Sequence, residues 1–342
     1  MAISVRRKHH TYVIAEAGVN HNGDIKMARR LIDVAKAAGA DAVKFQTFKA
    51  EESTSFSAEK AEYQKQTTSK KESQLDMIKK LELPFSAFGE LQQYCREQDI
   101  DFISTPDGLE SLKCLMELDV PLIKIGSTEV TNYPFLDALG QTGKPLILST
   151  GMSTLGEVEK AIDTIYSTGN HNITLMHCTT DYPTALNDVN LMAIKTMQQA
   201  FQIDVGYSDH TLGFEAAVAA VVLGAVCIEK HITLDRELPG PDHKASMPPE
   251  EFEEYVRHIR NTENILGDGL KRPTPGEVEN INQVRRSVVV TRDICKGTIL
   301  TEDMLCLKRP GTGIKPEYEQ LLIGRAVKRN LVADEMILWE DV

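Results

Sequence analysis

The sequence predicts an α/β protein: a closed (β/α)8 TIM barrel followed by a small C-terminal β-rich module. Three observations carry this prediction. Short apolar segments alternate with amphipathic ones eight times between Thr11 and Leu266, the rhythm of a parallel sheet with helical crossovers. No G-x-G-x-x-G follows the first apolar segment, which weakens the competing doubly wound open sheet with a bound dinucleotide. Beyond a stretch rich in glycine and proline, Val284 to Val342 is too short for another half-barrel. The expected boundaries are a barrel over residues 1–270, a linker over 271–283 and the small domain over 284–342.

Thr11 to Ala17 is β-branched and apolar and opens the series. Gly18 to Gly23 is a turn-rich loop, Asp24 caps a helix to about Ala38, and Gly39 marks its end. Asp41 to Phe48 is the second strand. Glu51 to Glu82 is polar, without strand signal, and reads as an excursion over the barrel mouth. Pro84 opens a helix from about Ser86 to Gln98. A regular alternation follows: strand Asp101 to Thr105, helix Leu109 to Leu118, strand Pro121 to Gly126, helix Tyr133 to Leu139. It continues with strand Pro145 to Thr150, helix Leu155 to Thr168, strand Asn172 to Cys178 and helix Asn190 to Ala200. Strands Ile203 to Tyr207 and Val226 to Lys230, separated by an alanine-rich helix, complete eight, and helix Pro249 to Leu266 closes the series. The C-terminal module alternates short β segments with a turn at Lys296-Gly297 and a helix-like Thr301 to Leu305. A module this small buries little surface alone and is expected to dock on something.

Hydrophobic content of 42% with 26% charged residues provides ample material for a soluble core. A net charge of −12 argues against nucleic acid or an anionic membrane as the main partner. The six cysteines lack paired C-x-x-C spacing, and several fall inside apolar runs, so they read as reduced thiols. With no signal-peptide core and no run able to span a bilayer, the expected location is the cytoplasm.

Active sites of such barrels lie at the C-terminal strand ends. Those ends carry Glu16, Asn20 and His21; Lys44 and Gln46; Ser104 and Thr105; and Lys124, Ser127 and Glu129. Farther along they carry Ser149 and Thr150; His177, Thr179, Thr180 and Tyr182; Ser208 and His210; and Lys230 and His231. His210 and His231 end neighbouring strands, so two imidazoles can chelate one divalent ion, with water or substrate oxygen completing its shell. The alternative is a pair of hydrogen-bonding strand-end histidines. Lys44 and Lys124 sit in otherwise apolar strands, where an ammonium needs a carboxylate or an anionic ligand. Hydroxyls at Thr105, Ser127, Ser149 and Ser208 favour a ligand bearing phosphate and carboxylate. Schiff-base aldolase chemistry would also use a barrel lysine, but has no need of the histidine pair.

EAGVNHNG, AVKFQTF, STPDG, KIGSTEVTN, LSTGM, HCTTDYPT, GYSDHT, EKHITLD and GPDHKAS occur in order, and together they resemble the motifs of the sialic acid synthase family. The C-terminal segment with KRPGTGI resembles that family's antifreeze-protein-like (SAF) domain, of β-clip fold. The resemblance covers essentially the whole chain. It implies condensation of phosphoenolpyruvate with an N-acylated hexosamine, with Mn2+ or Mg2+ on His210 and His231 and no nucleotide cofactor. It places phosphoenolpyruvate on Lys44, Thr105, Lys124, Ser127, Ser149 and Ser208, and the sugar on Gln46, Tyr182 and Asp242. Glu16 and Glu129 line the same pocket, and His243 is a supporting residue rather than a third ligand. It further implies a domain-swapped homodimer in which Arg309 of one copy reaches the sugar bound by the other.

The chemistry expected on these residues follows from the donor, a weak enol-type nucleophile that needs an activated aldehyde. A cation on the two histidines polarises that carbonyl. Glu16 is the candidate for the proton of the water that adds to carbon 2, and Lys44 and Lys124 offset negative charge. Thr128 stands where several N-acetylneuraminate-forming synthases carry glycine, and Thr179 to Pro183 reads TTDYP where some members have a sugar-contacting asparagine. Both departures fall on the sugar side. The acceptors to consider are N-acetylmannosamine, a 2,4-diacetamido-2,4,6-trideoxy-hexose giving legionaminic acid, and a pseudaminic acid precursor. A metal-dependent class II aldolase and a non-catalytic sugar-binding barrel are the rival functions.

Overall fold

The computed structural model describes residues 10–55, 57–60 and 72–342. It divides into two compact units, Met1–Gly267 and Asp268–Val342.

The first unit is an eight-stranded, all-parallel barrel. Its strands are β1 (Tyr12–Gly18), β2 (Ala42–Phe48), β3 (Asp101–Asp107), β4 (Ile123–Ile125), β5 (Leu146–Ser149), β6 (Ile173–Cys178), β7 (Val205–Asp209) and β8 (Cys227–His231). Ladders run without a break from β3 through β2, β1, β8, β7, β6 and β5 to β4. Closure is almost complete: β3 and β4 are neighbours, but no ladder joins them among the described residues. The shortness of β4, three residues where six were expected, explains this. Pro121 has no N–H to donate, and the chain leaves the strand at Gly126 to make a 3-10 turn over Ser127–Glu129.

Side-chain alternation divides the core in two. On β1, Val13, Ala15 and Ala17 face the helices and join the large outer core, whereas Tyr12 and Ile14 face the barrel axis. Ala42, Ile103, Leu122, Ile147, Met176 and Cys227 complete this apolar inner layer. The helices that cover the outer face are amphipathic and capped as their sequences suggest. Asp24 accepts from the backbone N–H of Lys26, and Thr154 with Glu157 forms a capping box. The excursion after β2 contributes helical segments Ala50–Ser53 and Gln74–Lys79 to the described structure; residues 56 and 61–71 of it lie outside the described residues.

The second unit pairs β9 (Ser287–Val290) with β10 (Leu305–Lys308) antiparallel, with bridges at Val289–Met336, Ile294–Leu331 and Ile299–Ala326. Val288, Val290, Leu300, Leu305, Leu322 and Ile337 form its separate core. One expectation is refined and one corrected here. The stretch over 271–283, read as a linker, holds most of a helix, Pro275–Val284. Thr274 and Glu277 form a capping box and Pro275 takes the first turn, where its missing N–H costs nothing. The helix-like segment from Thr301 is one 3-10 turn, Glu302–Met304, and Leu305 already belongs to β10.

All six cysteines are free. Among the described residues no helix is long and apolar enough to cross a membrane.

Candidate active site

One step beyond the apolar layer the barrel axis turns polar. Glu16, Lys44, Lys124, Ser149, Ser208 and Glu229 are buried there, at positions two residues on from apolar inward neighbours such as Ile14, Ala42, Leu122, Ile147 and Cys227. The strand ends and the excursion enclose a cavity of about 470 Å³. Every barrel residue expected to act lines it: Glu16, Lys44, Gln46, Thr105, Lys124, Ser127, Glu129, Ser149, Tyr182, Ser208, His210, His231 and Asp242. Arg309 lies in the second unit, exposed just after β10.

The floor is an alternating chain of charges. Lys44 Nζ lies 3.0 Å from Glu16 and 3.5 Å from Glu229, and Lys124 Nζ lies 3.6 Å from Glu229. Hydroxyls fill part of the remaining hydrogen-bonding positions, while Glu16 Oε2 and Glu229 Oε2 have no hydrogen-bond partner among the described residues. Lys44 donates to Thr105 Oγ1 at 3.2 Å, Lys124 to Ser149 Oγ at 2.7 Å, and Ser208 to Glu229 Oε1 at 3.2 Å. Gln46 donates to Glu16 Oε1 at 3.0 Å. Burial alone would raise the Glu229 carboxyl, but Lys124 and Lys44 outweigh it and hold the group ionised, well below the usual range. For Glu16, desolvation and the facing Glu229 outweigh Lys44 and the Gln46 hydrogen bond, so its carboxyl is raised. Desolvation, with Glu16 nearby, lifts Asp242 to about 7. Lys44, between two carboxylates, is raised despite burial, whereas for Lys124 burial prevails and lowers it. Two carboxyls of one pocket are thus driven apart, one ionised and one with a raised affinity for protons.

Above this floor stand the histidines. Their rings lie 5.5 Å apart, and Tyr182 covers both, 4.2 Å from His210 and 5.7 Å from His231. His210 Nδ1 is tied to the Thr179 carbonyl at 2.6 Å, which requires the proton on Nδ1 and leaves the Nε2 lone pair free, 3.4 Å from Ser208 Oγ. His231 Nδ1 is buried and has no hydrogen-bond partner among the described residues. Burial pushes both imidazoles down to about 4, so both are neutral over the ordinary pH range. Neutral imidazoles on adjacent strands, one oriented by a backbone carbonyl, suit a divalent cation. Among the described residues no third His, Cys, Asp or Glu completes such a group, so further ligands would be water or substrate oxygen.

Ser127 forms the side of the cavity next to β5. Its Oγ accepts from the Gly151 N–H at 3.0 Å and lies 3.2 Å from Cys178 Sγ. A Cβ at Gly151 would sit 2.4 Å from Thr180 Oγ1 and 2.9 Å from Ser127 Oγ, so this close approach requires glycine. Glu129, at the mouth, accepts from Asn132 at 2.6 Å. His243 supports the wall, bonded to Thr233 Oγ1 at 2.7 Å and to Asn22 at 3.3 Å, and does not join the other two histidines.

Four residues expected at the rim point the other way. Ser104 donates to the Phe45 carbonyl, Thr150 to the Met176 carbonyl, and His177 bonds the Val189 carbonyl. Lys230 pairs with Asp209 on the helix side of the barrel. Each is one residue out of phase with an inward neighbour, and strand period alone decides which face it takes. The same rule identifies a residue that was missed. Glu229 lies two before His231 and shares its face, a signal present in the sequence. The apolar wall of Val19, Phe48, Met77, Ile78 and Leu81 was also missed, because the excursion that supplies part of it has no strand pattern.

The chain matches the NeuB family over residues 31–271 and the SAF domain over residues 285–342. It is 48% identical to N,N'-diacetyllegionaminic acid synthase of Campylobacter jejuni, over 96% of this chain and 98% of that one. A protein of the same name from Legionella pneumophila is 45% identical, over 97% and 94%. N-acetylneuraminate-9-phosphate synthase of Homo sapiens is 36% identical, over 97% and 93%. Among solved structures, N-acetylneuraminic acid synthetase from Leptospira borgpetersenii, in complex with citrate, superposes with a TM-score of 0.70 at 34% identity, covering 80% of this chain and 91% of that one. Motif order, barrel and full-length relatives agree: the chain belongs to the NeuB family and ends in a SAF domain.

Proposed function

We propose that the protein condenses phosphoenolpyruvate with an N-acylated hexosamine to give a nine-carbon nonulosonic acid and phosphate. The observation that carries this reading is the floor of Lys44 and Lys124, each matched to carboxylates and hydroxyls, directly beneath two neutral histidines. In the reaction, carbon 3 of the donor gives its electron pair to the sugar aldehyde carbon. The aldehyde oxygen takes up a proton and becomes a hydroxyl. Water adds through oxygen to carbon 2 and gives up one proton. The resulting hydroxyl gives up its second as the bond from carbon 2 to the phosphate oxygen breaks, leaving a carbon 2 ketone and inorganic phosphate. Lys44 and Lys124, with Thr105, Ser149 and Ser208, hold the donor's anionic groups and offset the charge that accumulates at carbon 2. Glu16 takes the proton of the attacking water in this reading, which its raised carboxyl and its hydrogen bond from Gln46 support. Glu229 stays ionised and keeps both lysines aligned; Glu129, Gln46, Tyr182 and Asp242 face the acceptor. A divalent cation held by His210 and His231 would supply Lewis-acid polarisation of the aldehyde. Lys44, kept charged between two carboxylates, is unsuited to be a Schiff-base nucleophile.

The two relatives named N,N'-diacetyllegionaminic acid synthases, together with the apolar wall of Phe48, Met77, Ile78 and Leu81, favour a 2,4-diacetamido-2,4,6-trideoxy-hexose as acceptor. A methyl group suits such a wall better than a hydroxymethyl. The test is phosphate release from phosphoenolpyruvate with Mn2+ and each candidate acceptor, with products identified by mass. The expected result is turnover with the deoxy diacetamido sugar above that with N-acetylmannosamine. Absence of phosphate release with every hexosamine overturns the reaction, and a reversed order overturns the acceptor.

A further inference from the structure

Behind the two histidines, on the helix side of β7 and β8, lies a buried polar cluster that touches neither ring. Asp209 is its centre, 1% exposed, with Lys230 at 2%. The Asp209 carboxylate accepts from the Thr211 N–H at 2.9 Å, Thr211 Oγ1 at 2.7 Å, Tyr255 OH at 2.9 Å and Tyr207 OH at 3.3 Å. Lys230 Nζ lies 3.1 Å from Asp209 Oδ2, donates to the Thr211 carbonyl, and sits 5.3 Å over the Tyr255 ring.

The position of the cluster in the chain is what matters. Asp209 precedes His210 and Thr211 follows it, so the carboxylate clamps the turn on both sides of that histidine. Lys230 immediately precedes His231 and binds both of those clamping residues. One ammonium thus ties the backbone flanking His210 to the backbone entering His231. The β7–β8 ladder ends with Asp209 opposite Lys230, and His210 lies beyond it, without strand pairing of its own. Beyond the ladder, His210 is held by this cluster, by the Thr184 N–H, which donates to its backbone carbonyl at 2.8 Å, and by the Thr179 carbonyl on its ring.

A buried ion pair gains little stability over apolar residues of the same volume, because desolvation offsets the attraction. What it does supply is geometry, since each bond has one direction and length. We infer that Asp209, Lys230 and Tyr255 are positioning residues that hold the imidazoles of His210 and His231 at the separation a divalent cation requires. This rests on the two-histidine reading above. The cluster acts on the two histidines through the backbone, one step farther out than partners that hydrogen-bond a ligand ring directly.

The experiment measures Mn2+ binding to the full chain by the electron paramagnetic resonance signal of the free ion, well below the melting temperature. It compares the natural protein with Lys230→Met, Tyr255→Phe and His231→Ala, with folding checked by circular dichroism. Lys230→Met is expected to weaken Mn2+ binding roughly 10–100-fold, and Tyr255→Phe to weaken it less, in the same direction. Co2+ absorption bands should change shape in both, a signature that a merely stabilising role would not move. Folded Lys230→Met and Tyr255→Phe proteins that bind Mn2+ within twofold of the natural chain overturn the inference. If Lys230→Met does not fold, Tyr255→Phe, which removes one hydroxyl, decides alone. His231→Ala is expected to lose the ion; if it binds as before, the two-histidine reading fails and the positioning role with it.

Discussion

The lower and upper layers of the barrel interior are built on the same strands, two residues apart, and have opposite chemistry. Below are Ile14, Ala42, Leu122, Ile147 and Cys227; above them stand Glu16, Lys44, Lys124, Ser149 and Glu229. The lower layer is a packed hydrocarbon plug, favourable through removal of apolar surface from water. The upper layer removes four charges from water, which costs free energy that pairing recovers only in part. Shape and alternation are identical, so the fold does not demand the second layer. The difference shows stability concentrated in one layer and binding chemistry in the next, with the plug excluding water from beneath the site.

The contrast is most sharply tested by emptying one lysine position. Lys124→Ala or Lys44→Ala leaves Glu229 with a single counter-charge, and kcat/KM for phosphoenolpyruvate is expected to fall about 10²–10³-fold. Activity within tenfold of the natural protein would place the anion elsewhere. Glu16→Gln keeps the shape and the bond to Gln46 but removes the proton acceptor, so kcat should fall about 10²-fold. A larger change in KM than in kcat would make Glu16 a binding group instead. One layer down, Ile147→Ala should cost about 2–5 kcal/mol of stability in denaturant titration. Activity per folded molecule should barely change. If it drops as it does for the lysines, the two layers are not separable.

The smallest expected effect is in pH. His21, His210, His231 and His243 are each pushed by burial from 6.5 to about 4. Between these values the unfolded chain binds protons that the folded one refuses, so stability rises with pH across that window. The metal-free protein should therefore melt at progressively lower temperature as pH falls from 6.5 towards 4. A melting temperature flat over that range would mean the histidines are more hydrated than the structure shows.

Much of this was legible in the residues. Strand and helix order followed from apolar periodicity, and helix Pro249–Leu266 has the bounds its sequence suggested. Strand ends were harder to place. β7 and β8 run to Asp209 and His231, past Tyr207 and Lys230, because a polar residue extends a strand whenever the neighbouring ladder offers a partner. The helix at Pro275 was obscured by reading Pro-Gly as a breaker, when a first helical turn tolerates both. Glu229 was overlooked beside the more conspicuous Lys230 and His231 that follow it, although it shares a face with His231.

What the sequence determined by itself was the inventory: eight strands, the polar residues at their ends, and, through period two, the face each one takes. What only the tertiary structure decided was pairing. Which carboxylate answers which lysine, why Glu16 is raised while Glu229 stays ionised, and how Lys230 reaches around His210 depend on distances across the barrel. Those distances are set by strand stagger and closure, which join residues as far apart in the chain as Lys44 and Glu229 and leave no local trace in it.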